Sequence, residues 1–549
     1  MMRITIILLA VVITGTYCIA QNADVNSERV SMDMQLLQSI NGSSTIVLMG
    51  IWPQSIQTLQ KQGQVTGSAF GDYIKSYYGY TLTNADTTNG LLVGATDSRF
   101  RGLALADGTL RMQGDASLMV RSGFYDNGSS SDPFMLARPS VRLMGSFDEH
   151  FGFFLDLSNG VRLSGNSALI AQTDPSLSRI AKFVTEDSSF FDRYIGYVQY
   201  QSEFLRVRFG REQLQYGYSP IDNLVHSIDA PMLDGLLIDA PYKSFRFTFT
   251  HSTASGVDTS GKDVPSKFVA THRLAFDPTP WLSLAVNDMI TYWGRGIDLA
   301  YLNPLAFFVS TGLSTQDRNV HDNSMISFDV AARPMNGTLV YGTWFVDDLN
   351  FSTIGDTSFR GNTNKWAWQV GVSQSIGATT SFPQSLATVE YVKIDPFTYS
   401  HRSQNASYTS FGAPLGYNMQ PNSDRLALQW RTWFTPRTFV RIDVDYTRHG
   451  ENILDSAGNI LMGSNPHFPG AISPIGNVGG DVFRGDGDDL YGNRFLRGNV
   501  SYQRRLRMWF SAEWWHNIFT DVRIGYTSRN GGNTPSNFFF GSVEIRVGY

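Results

Sequence analysis

The chain has very little cysteine, and its single cysteine lies in a segment that we expect to be removed. Cys18 belongs to MMRITIILLAVVITGTYCIAQ, in which a basic Arg3 precedes an apolar run from Ile4 and small residues surround Ala20. This pattern predicts a secretory signal peptide at residues 1–20, too short to cross a bilayer comfortably. The mature chain would then contain no cysteine, which excludes a disulfide framework.

Charge and long apolar runs are also scarce. Only 17% of the residues are charged and the formal net charge is −5. This balance excludes the basic character of nucleic-acid-binding proteins and gives no electrostatic reason for membrane adhesion. After the signal peptide no apolar run reaches 18 residues, so no transmembrane helix is predicted. No long linker rich in proline or serine divides the chain into domains.

The motifs of familiar enzyme classes are missing too. GLSTQ, GVSQS and GYSPI each lack the final glycine of G-x-S-x-G, and no H-E-x-x-H or phosphate-binding glycine loop occurs. We therefore expect no enzyme, cofactor or metal, although a hydrolase assembled from distant strands stays open. The loop RGDGDDL places Asp486, Asp488 and Asp489 together, which is compatible with Ca²⁺ but is more typical of a solvated turn.

What the chain does contain is a repeated alternation of apolar and polar residues. In FVRIDVDYTR, residues Val440 to Tyr446 place an apolar side chain at every second position, with Arg441, Asp443 and Asp445 between them. The same period recurs in FLRVRFG, SFRFTFTH and VEIRVGY, and turn-forming clusters such as DNGSSSD and RNGGN separate the runs. The sequence therefore predicts many antiparallel β-strands with one apolar and one polar face.

Such strands occur both in soluble sandwiches and in membrane barrels, and three features favour the barrel. The polar face mixes Arg with Asp and Glu, as a water-filled lumen requires. Aromatic residues cluster near strand ends, where interfacial girdles lie. The closing strand ends on Tyr549, which we interpret as a signal for the outer-membrane assembly machinery. The charges that we predict to line the lumen are Arg206, Arg208, Arg441, Asp443, Asp445, Glu544 and Arg546.

The segment before the barrel has a different pattern. We divide the chain into the signal peptide at 1–20, a periplasmic helical or plug segment at 21–103, and an outer-membrane barrel at 104–549. Helical spacing and Pro53 near a first turn predict two short helices between Val25 and Gly63, with a disordered spacer as the alternative. The aromatic-rich GDYIKSYYGYTL before Leu103 either plugs the barrel mouth or connects to the wall.

Several blocks in order resemble the Wzi-type outer-membrane capsule assembly family. They are RVRFGREQLQYGYSP, APMLDGLLIDAPYKSFRFTFTH, the Tyr301-Leu302-Asn303-Pro304 element, LVYGTWFVDDLNF, and VEYVKIDPFTYSHR followed by SYTSFGAPLGYNMQPNSDRL. Together they cover about half of the chain. One departure is Tyr216-Gly217-Tyr218-Ser219-Pro220, where the family often continues Gly-Pro-Gly.

This resemblance implies a barrel of about eighteen strands with a small helical periplasmic piece. It also implies a non-catalytic, lectin-like role, in which capsular or another exported polysaccharide is anchored at the cell surface of a Gram-negative bacterium. The barrel interpretation itself adds two further partners, outer-membrane lipid and the barrel assembly machinery. We expect a monomer. The family departures leave the identity of the polysaccharide open.

Aromatic faces stack on sugar rings, and Asp, Asn and His read sugar hydroxyls. On this chemistry the candidate glycan-binding residues are Tyr399, His401, Tyr408, Asn418, Asp424, Asp347 and Asp348. Four of these residues have a plainer interpretation: Tyr399 and His401 would belong to an interfacial girdle, and Asp347 and Asp348 would order a turn. The plainer role of the lumen arginines is to neutralise lumen carboxylates.

The main rival function is a porin or channel whose lumen charges select solutes. A porin should conduct ions, whereas an anchor should be blocked by its own loops and should retain polysaccharide. One strand also poses a problem of orientation. In SLATVEYVKID, Glu390 and Lys393 have opposite parity, so one of them must face lipid or reach the interface.

Overall fold

The computed structural model is a closed, all-antiparallel β-barrel of 18 strands, which confirms the predicted fold class. It describes residues 110–147, 150–174, 187–256, 266–312, 321–354, 364–377, 381–464, 472–483, 494–515 and 518–548, a few isolated positions, and the backbone of 51–52, 90–93 and 103–107. None of the helices in these described parts is both long and apolar enough to cross a bilayer.

We number the barrel strands β1 to β18 in chain order. The first nine are Leu110–Asp126, Ser131–Phe147, Phe151–Ser164, Phe190–Gln201, Arg206–Glu212, Leu233–Tyr242, Phe245–Ser255, Ser266–Thr279 and Leu282–Trp293. The second nine are Asn323–Ala332, Thr338–Asp348, Lys365–Ile376, Gln384–Ile394, Ser423–Thr435, Thr438–Glu451, Asn499–Trp515, Ile518–Gly531 and Ser536–Gly548.

Each strand presents alternate residues to opposite sides, as its sequence period requires. In β18, Val543, Ile545 and Val547 are 46–50% exposed on the outer wall, while Glu544 is 7% exposed on the inside. Water inside the barrel and lipid outside explain this reversal of the pattern of soluble proteins.

The barrel closes where β18 pairs with β1, with Glu544 directly opposite Arg121 and Gly548 opposite Ser117. Residues 543–548 of the VEIRVGY run thus lie in the closing strand. Tyr549, the predicted assembly signal, lies outside the described residues.

The two rims of the barrel differ in the length of their connections. Residues 202–205, 243–244, 280–281 and 436–437 link strands at one rim, which we call the turn rim. Longer connections, such as residues 213–232, 294–322, 395–422 and 452–498, all lie at the opposite rim, which we call the loop rim. Outer-membrane barrels place short turns in the periplasm and long loops outside the cell.

The chain before β1 contributes only short described pieces. Leu103–Asp107 pairs with the start of β1, and Gly90–Val93 pairs with it in turn. Ile51–Trp52 forms a two-residue strand against Gln215–Tyr216, and its extended backbone agrees with the position of Trp52 directly before proline. The signal peptide and the rest of the predicted helical segment lie outside the described residues.

Three short α-helices occur among the described residues: α1 at Ser167–Thr173, α2 at Leu299–Leu302 and α3 at Phe308–Gly312. Helix α1 begins after the N-cap Asn166, whose side chain accepts a hydrogen bond from the Leu169 N–H. Its buried Ile170 packs against Phe134 and Leu136, which face the lumen from β2.

Candidate functional site

Two connections at the loop rim fold into the barrel and are buried there. Inner loop A comprises residues 213–232 between β5 and β6, and inner loop B comprises residues 395–422 between β13 and β14. Their tyrosines and leucines form one core cluster with lumen-facing residues of the wall, among them Val269, Met289 and Phe345. The loops therefore behave as a packed core rather than as solvated rim segments.

Buried tyrosines join the two inner loops. The Tyr399 hydroxyl donates to the Leu224 carbonyl and the Tyr408 hydroxyl donates to the Val225 carbonyl, both at 2.8 Å. The Ser227 N–H donates to the Leu415 carbonyl at 2.8 Å. Because a buried hydroxyl or carbonyl without a partner is costly, these bonds hold the loops in one arrangement.

A glycine makes this contact possible. A Cβ placed on Gly416 would lie 2.4 Å from the Tyr399 hydroxyl and 2.5 Å from the Leu224 carbonyl oxygen. These distances are shorter than Cβ contacts allow, so the Pro-Leu-Gly turn of inner loop B needs glycine to approach inner loop A.

Glu390 of β13 is the polar centre of the assembly. Its side chain is 1% exposed and accepts hydrogen bonds from Tyr417 at 2.9 Å, Tyr341 at 2.8 Å and Gln369 at 2.9 Å. The Ser219 hydroxyl is a fourth donor. Glu390 thus faces inward and ties both inner loops to three strands. Lys393 faces outward, where it pairs with Asp395 at 2.6 Å.

Asp222 carries a second connection between the loops. Its Oδ2 accepts the Asn418 N–H at 2.7 Å, and its own carbonyl accepts from Gln369 at 2.6 Å. Burial, with a smaller contribution from Asp229, raises the pKa of Asp222 to about 7. In the same loop, burial lowers the pKa of His226 to about 4.

Asp347 and Lys267 anchor inner loop B to the wall. The Asp347 carboxylate accepts the Tyr399 N–H at 2.7 Å. The Lys267 ammonium donates to the Ser407 carbonyl at 2.5 Å and to Thr409 at 3.1 Å. Three of the candidate glycan residues, Asp347, Tyr399 and Tyr408, are therefore brought together inside the barrel, where neither tyrosine has an exposed ring face.

The other four candidate residues lie apart. His401 and Asn418 are half-buried in inner loop B. Asp348 is exposed and pairs with Lys365 at 2.8 Å. Asp424 lies on the outer wall, where its carboxylate accepts from Arg448 at 2.9 Å and from Tyr391 at 3.0 Å.

Sequence reasoning missed Phe411, at the tip of the hairpin formed by Thr409–Ser410 and Ala413–Pro414. Its ring is 52% exposed and its backbone adopts a left-handed φ of 51°. The Phe411 N–H donates to the Ser255 carbonyl at 3.0 Å, which fixes the tip to the end of β7. The only sequence indication is a phenylalanine before glycine in a turn.

The predicted lumen charges lie on the inner wall in paired groups. Arg206 lies 3.1 Å from Asp239, Arg441 2.9 Å from Asp443, and Asp445 2.8 Å from Arg505. Arg208 pairs with Glu212 and donates to Gln199 at 2.7 Å. The Arg546 guanidinium lies over the Phe519 ring at 4.3 Å.

At the closing seam, Arg121 bridges two carboxylates. It contacts Glu544 of β18 and Asp174, which follows α1, each at 2.6 Å. All three side chains are less than 10% exposed. This cluster links the first strand, the last strand and the end of α1, which lies in the connection between β3 and β4.

One connection covers the outside of the wall instead. We call residues 294–312 the outer flap; Tyr301 and Phe308 of α2 and α3 pack on outward-facing Phe249 and Ile290. Beneath it, Phe308 stacks on His272 at 4.0 Å. The flap also covers outward-facing Asp288, and Asn303 caps its own turn by accepting the Leu305 N–H at 3.0 Å.

Among the described residues no three His, Cys, Asp or Glu side chains are grouped as metal ligands. The Asp486–Asp489 loop lies outside the described residues.

The fold of the barrel is similar to those of solved outer-membrane proteins. Escherichia coli Wzi, described as an outer-membrane protein of group 1 capsule assembly and a carbohydrate-binding β-barrel, shares 12% identity with a TM-score of 0.55 over 96% of this chain and 99% of its own. Pseudomonas aeruginosa OprD shares 11% identity (TM-score 0.40, 79% of this chain and 95% of its own). OpdK of the same organism shares 10% (TM-score 0.42, 79% and 98%).

No curated protein matches the chain. The sequence profile of the family described as capsule assembly protein Wzi matches residues 157–464, more than half of the chain. The match spans strands β4 to β15 with both inner loops and the outer flap. The chain is an outer-membrane barrel of a Gram-negative bacterium and belongs to the Wzi capsule assembly family.

Proposed function

We propose that this protein binds and anchors an exported polysaccharide at the cell surface without catalysis. The observation that carries the proposal is the locking of inner loops A and B into the lumen by buried tyrosines and Glu390. Loops held in this way give the barrel mouth a fixed protein surface for a long ligand. Family membership and the carbohydrate-binding description of E. coli Wzi support the same function.

We place the polysaccharide contact on the exposed surface of inner loop B. Phe411 offers a fixed, exposed ring for stacking on a sugar face. His401 and Asn418, both half-buried in the same loop, supply polar groups for sugar hydroxyls. Tyr399, Tyr408 and Asp347 then act as positioning residues, because they hold the loop and do not touch the ligand.

The other partners remain part of the proposal. Lipid contacts the outer wall through exposed residues such as Leu426 and Val444. The assembly machinery would recognise the closing strand at Tyr549, and the barrel acts as a monomer.

A channel function is the second candidate, and one observation favours it. Arg505 and Arg523 on the inner wall keep 21–22% of their side-chain surface exposed, as residues lining a water-filled path do. A channel would require a continuous path beside the inner loops.

The test combines polysaccharide retention with conductance. A deletion strain is complemented with wild type, with Phe411→Ala, or with Phe351→Ala as the matched control, since Phe351 is another exposed loop-rim aromatic outside both inner loops. We expect the deletion and Phe411→Ala to release polysaccharide into the medium and Phe351→Ala to retain it. The purified wild-type protein should be electrically silent in a planar bilayer.

Steady conductance together with unchanged retention in the deletion strain would contradict the anchor and support the channel. Release by Phe351→Ala as strongly as by Phe411→Ala would move the contact away from inner loop B.

A further inference from the structure

The outer wall of β13 to β16 carries a band of cations just below the loop rim. The strand register aligns two outward-facing rows there. The upper row is Lys393, Asp424, Arg448, Tyr502 and Asn530, each directly opposite the next. The second row is Tyr391, Leu426, Tyr446, Arg504 and Ser528.

The rows below are apolar. The third row, in the same register, is Val389, Leu428, Val444, Leu506 and Tyr526, all 42–50% exposed. Because barrel strands tilt, a row is not one depth in the membrane, and the boundary is read along each strand. On each of β13 to β16 an outward-facing charged or tyrosine side chain near the loop rim gives way to an apolar one, which marks the edge of the hydrocarbon region. The cations therefore lie at the level of lipid headgroups.

The charges of the two upper rows do not cancel. They contain Lys393, Arg448 and Arg504 against Asp424. Asp424 pairs with Arg448, whose side chain is 41% exposed, and Lys393 pairs with Asp395. Arg504 is exposed and has no carboxylate partner among the described residues.

A neighbouring segment adds to the positive charge. Asn422 holds residues 496–497 to the rim, accepting the Leu496 N–H at 2.7 Å and donating to the Arg497 carbonyl at 2.9 Å. Phe495 in this segment lies 4.5 Å from the Lys393 ammonium. Arg494 and Arg497 on either side of it are exposed. We call Lys393, Arg448, Arg494, Arg497 and Arg504 the outer cationic patch.

The opposite side of the barrel has a different rim. The outward residue near the top of β4 is Asp192, which accepts from Asn159 at 2.6 Å. The top of β5 and β6 carries one pair, Arg211 and Asp234 at 2.9 Å. Among the described outward-facing residues of the rim, positive charge is thus concentrated on the arc from β13 to β16.

We propose that the outer cationic patch binds the phosphorylated headgroup of a glycolipid in the outer leaflet. Guanidinium and ammonium groups are strong donors to phosphate oxygens. The patch stands directly above an exposed apolar wall, so a ligand with acyl chains below an anionic headgroup satisfies both surfaces. A soluble phosphate compound would satisfy only the cations.

The test is native mass spectrometry of the purified full-length protein titrated with diphosphoryl lipid A. The comparison ligand is the same lipid with both phosphates removed. Arg504→Gln should weaken binding of diphosphoryl lipid A about tenfold, as expected when charge-assisted hydrogen bonds are lost. Arg211→Gln is the matched control, because Arg211 is also an outward-facing rim arginine. Heat-modifiable electrophoretic mobility confirms that each variant is folded.

The expected pattern is strong preference of the wild type for the phosphorylated lipid, loss in Arg504→Gln and retention in Arg211→Gln. Equal binding of the dephosphorylated lipid would overturn the proposal by showing that only the acyl chains are recognised. An equal loss in Arg211→Gln would overturn the location. The assay contains no polysaccharide, so its outcome is independent of the proposed anchoring function.

Discussion

The interior of the barrel consists of two unlike halves. The packed arc, from β6 to β13, faces the inner loops with apolar side chains such as Leu237, Met289 and Phe345, all buried. It also holds dry ion pairs, such as Arg273 with Asp329. The charged arc, from β14 through the closing seam to β4, carries Arg and Asp pairs with more solvent contact, such as Asp445 with Arg505, beside one apolar cluster beneath α1. The same alternating strands therefore enclose a mainly apolar core on one side and a mainly charged wall on the other.

The difference shows that strand period and lumen chemistry are set separately. Period two places alternate residues inward on every strand, but the inward residues are apolar only where a loop returns to cover them. Where no described loop packs, the inward positions carry charges that pair across strands, as Asp445 does with Arg505 directly opposite. A polysaccharide anchor needs the packed arc, which holds the inner loops in place. A channel would need the charged arc alone.

The most direct way to break the packed arc is Glu390→Ala. Four donors, Ser219, Tyr341, Tyr417 and Gln369, would lose their acceptor inside the barrel. Since buried donors left without an acceptor are costly, we expect the free energy of unfolding to fall by about 3–5 kcal/mol and channel openings to appear in a planar bilayer. Thr388→Ala is the control, because Thr388 is equally buried on the same strand and its hydroxyl pairs, among the described residues, with the single hydroxyl of Ser373. A silent, fully stable Glu390→Ala variant would show that the loops are held by other contacts.

The charged arc is tested at its seam by Glu544→Gln. Arg121 would keep Asp174 but lose the carboxylate that joins the last strand to the first. We expect a loss of about 3 kcal/mol in urea unfolding monitored by tryptophan fluorescence. Asp443→Asn should cost less, since the Arg441–Asp443 pair is 14–17% exposed and partly screened. Equal losses would mean that the seam has no special role in closure.

The pH dependence of the stability of inner loop A tests the packed arc separately from the charged arc. Burial raises the pKa of Asp222 to about 7, whereas the unfolded value is about 3.9. The folded loop therefore binds this proton more tightly, and the stabilisation present below pH ~4 is lost as pH rises through ~7. Relative to Asp222→Asn, wild-type protection of residues 213–232 from hydrogen exchange should fall about fiftyfold between pH 5 and 7.

His226 acts in the opposite sense. Burial lowers its pKa to about 4, so the stability that the neutral imidazole contributes to the folded loop is lost as pH falls through about 4. Subtracting the Asp222→Asn profile removes this contribution, since both proteins contain His226. A flat difference profile would mean that Asp222 titrates at its ordinary pKa and carries its charge when buried.

The sequence was sufficient to predict the wall, because alternation is a local property that a single strand displays. It was not sufficient to predict the inner loops. Tyr399 and Tyr408 lie in segments whose composition is typical of exposed sugar-binding loops. Their burial results from long-range packing against Leu224 and Val225. The family resemblance supplied the expected strand number.

One feature that sequence reasoning missed, the outer flap, is indicated by the local sequence. His272 and Asp288 interrupt lipid-facing rows that otherwise read Phe268, Ala270, Leu274 or Leu284, Val286 and Ile290. A titratable residue in a lipid-facing row requires a cover, and here the outer flap provides it. The local sequence does not indicate the position of Phe411, since its exposure depends on a backbone hydrogen bond to the end of a strand distant in sequence.

The smallest expected effect concerns that flap, which is the outer counterpart of the packed arc. The Tyr301 hydroxyl donates to Asp322 at 2.6 Å, and Arg295 donates to the same carboxylate at 2.7 Å. Tyr301→Phe removes one of these bonds, so we expect a local cost of about 1 kcal/mol, seen as faster hydrogen exchange in residues 295–312 with unchanged global unfolding. Phe307→Ala, at an exposed position of the same flap, should leave exchange unchanged. Tyr301→Phe could instead lower the global free energy of unfolding as much as Glu390→Ala. The flap would then be part of the packed arc and not a separate cover, because loss of the Tyr301 hydrogen bond would act through the wall on the inner loops.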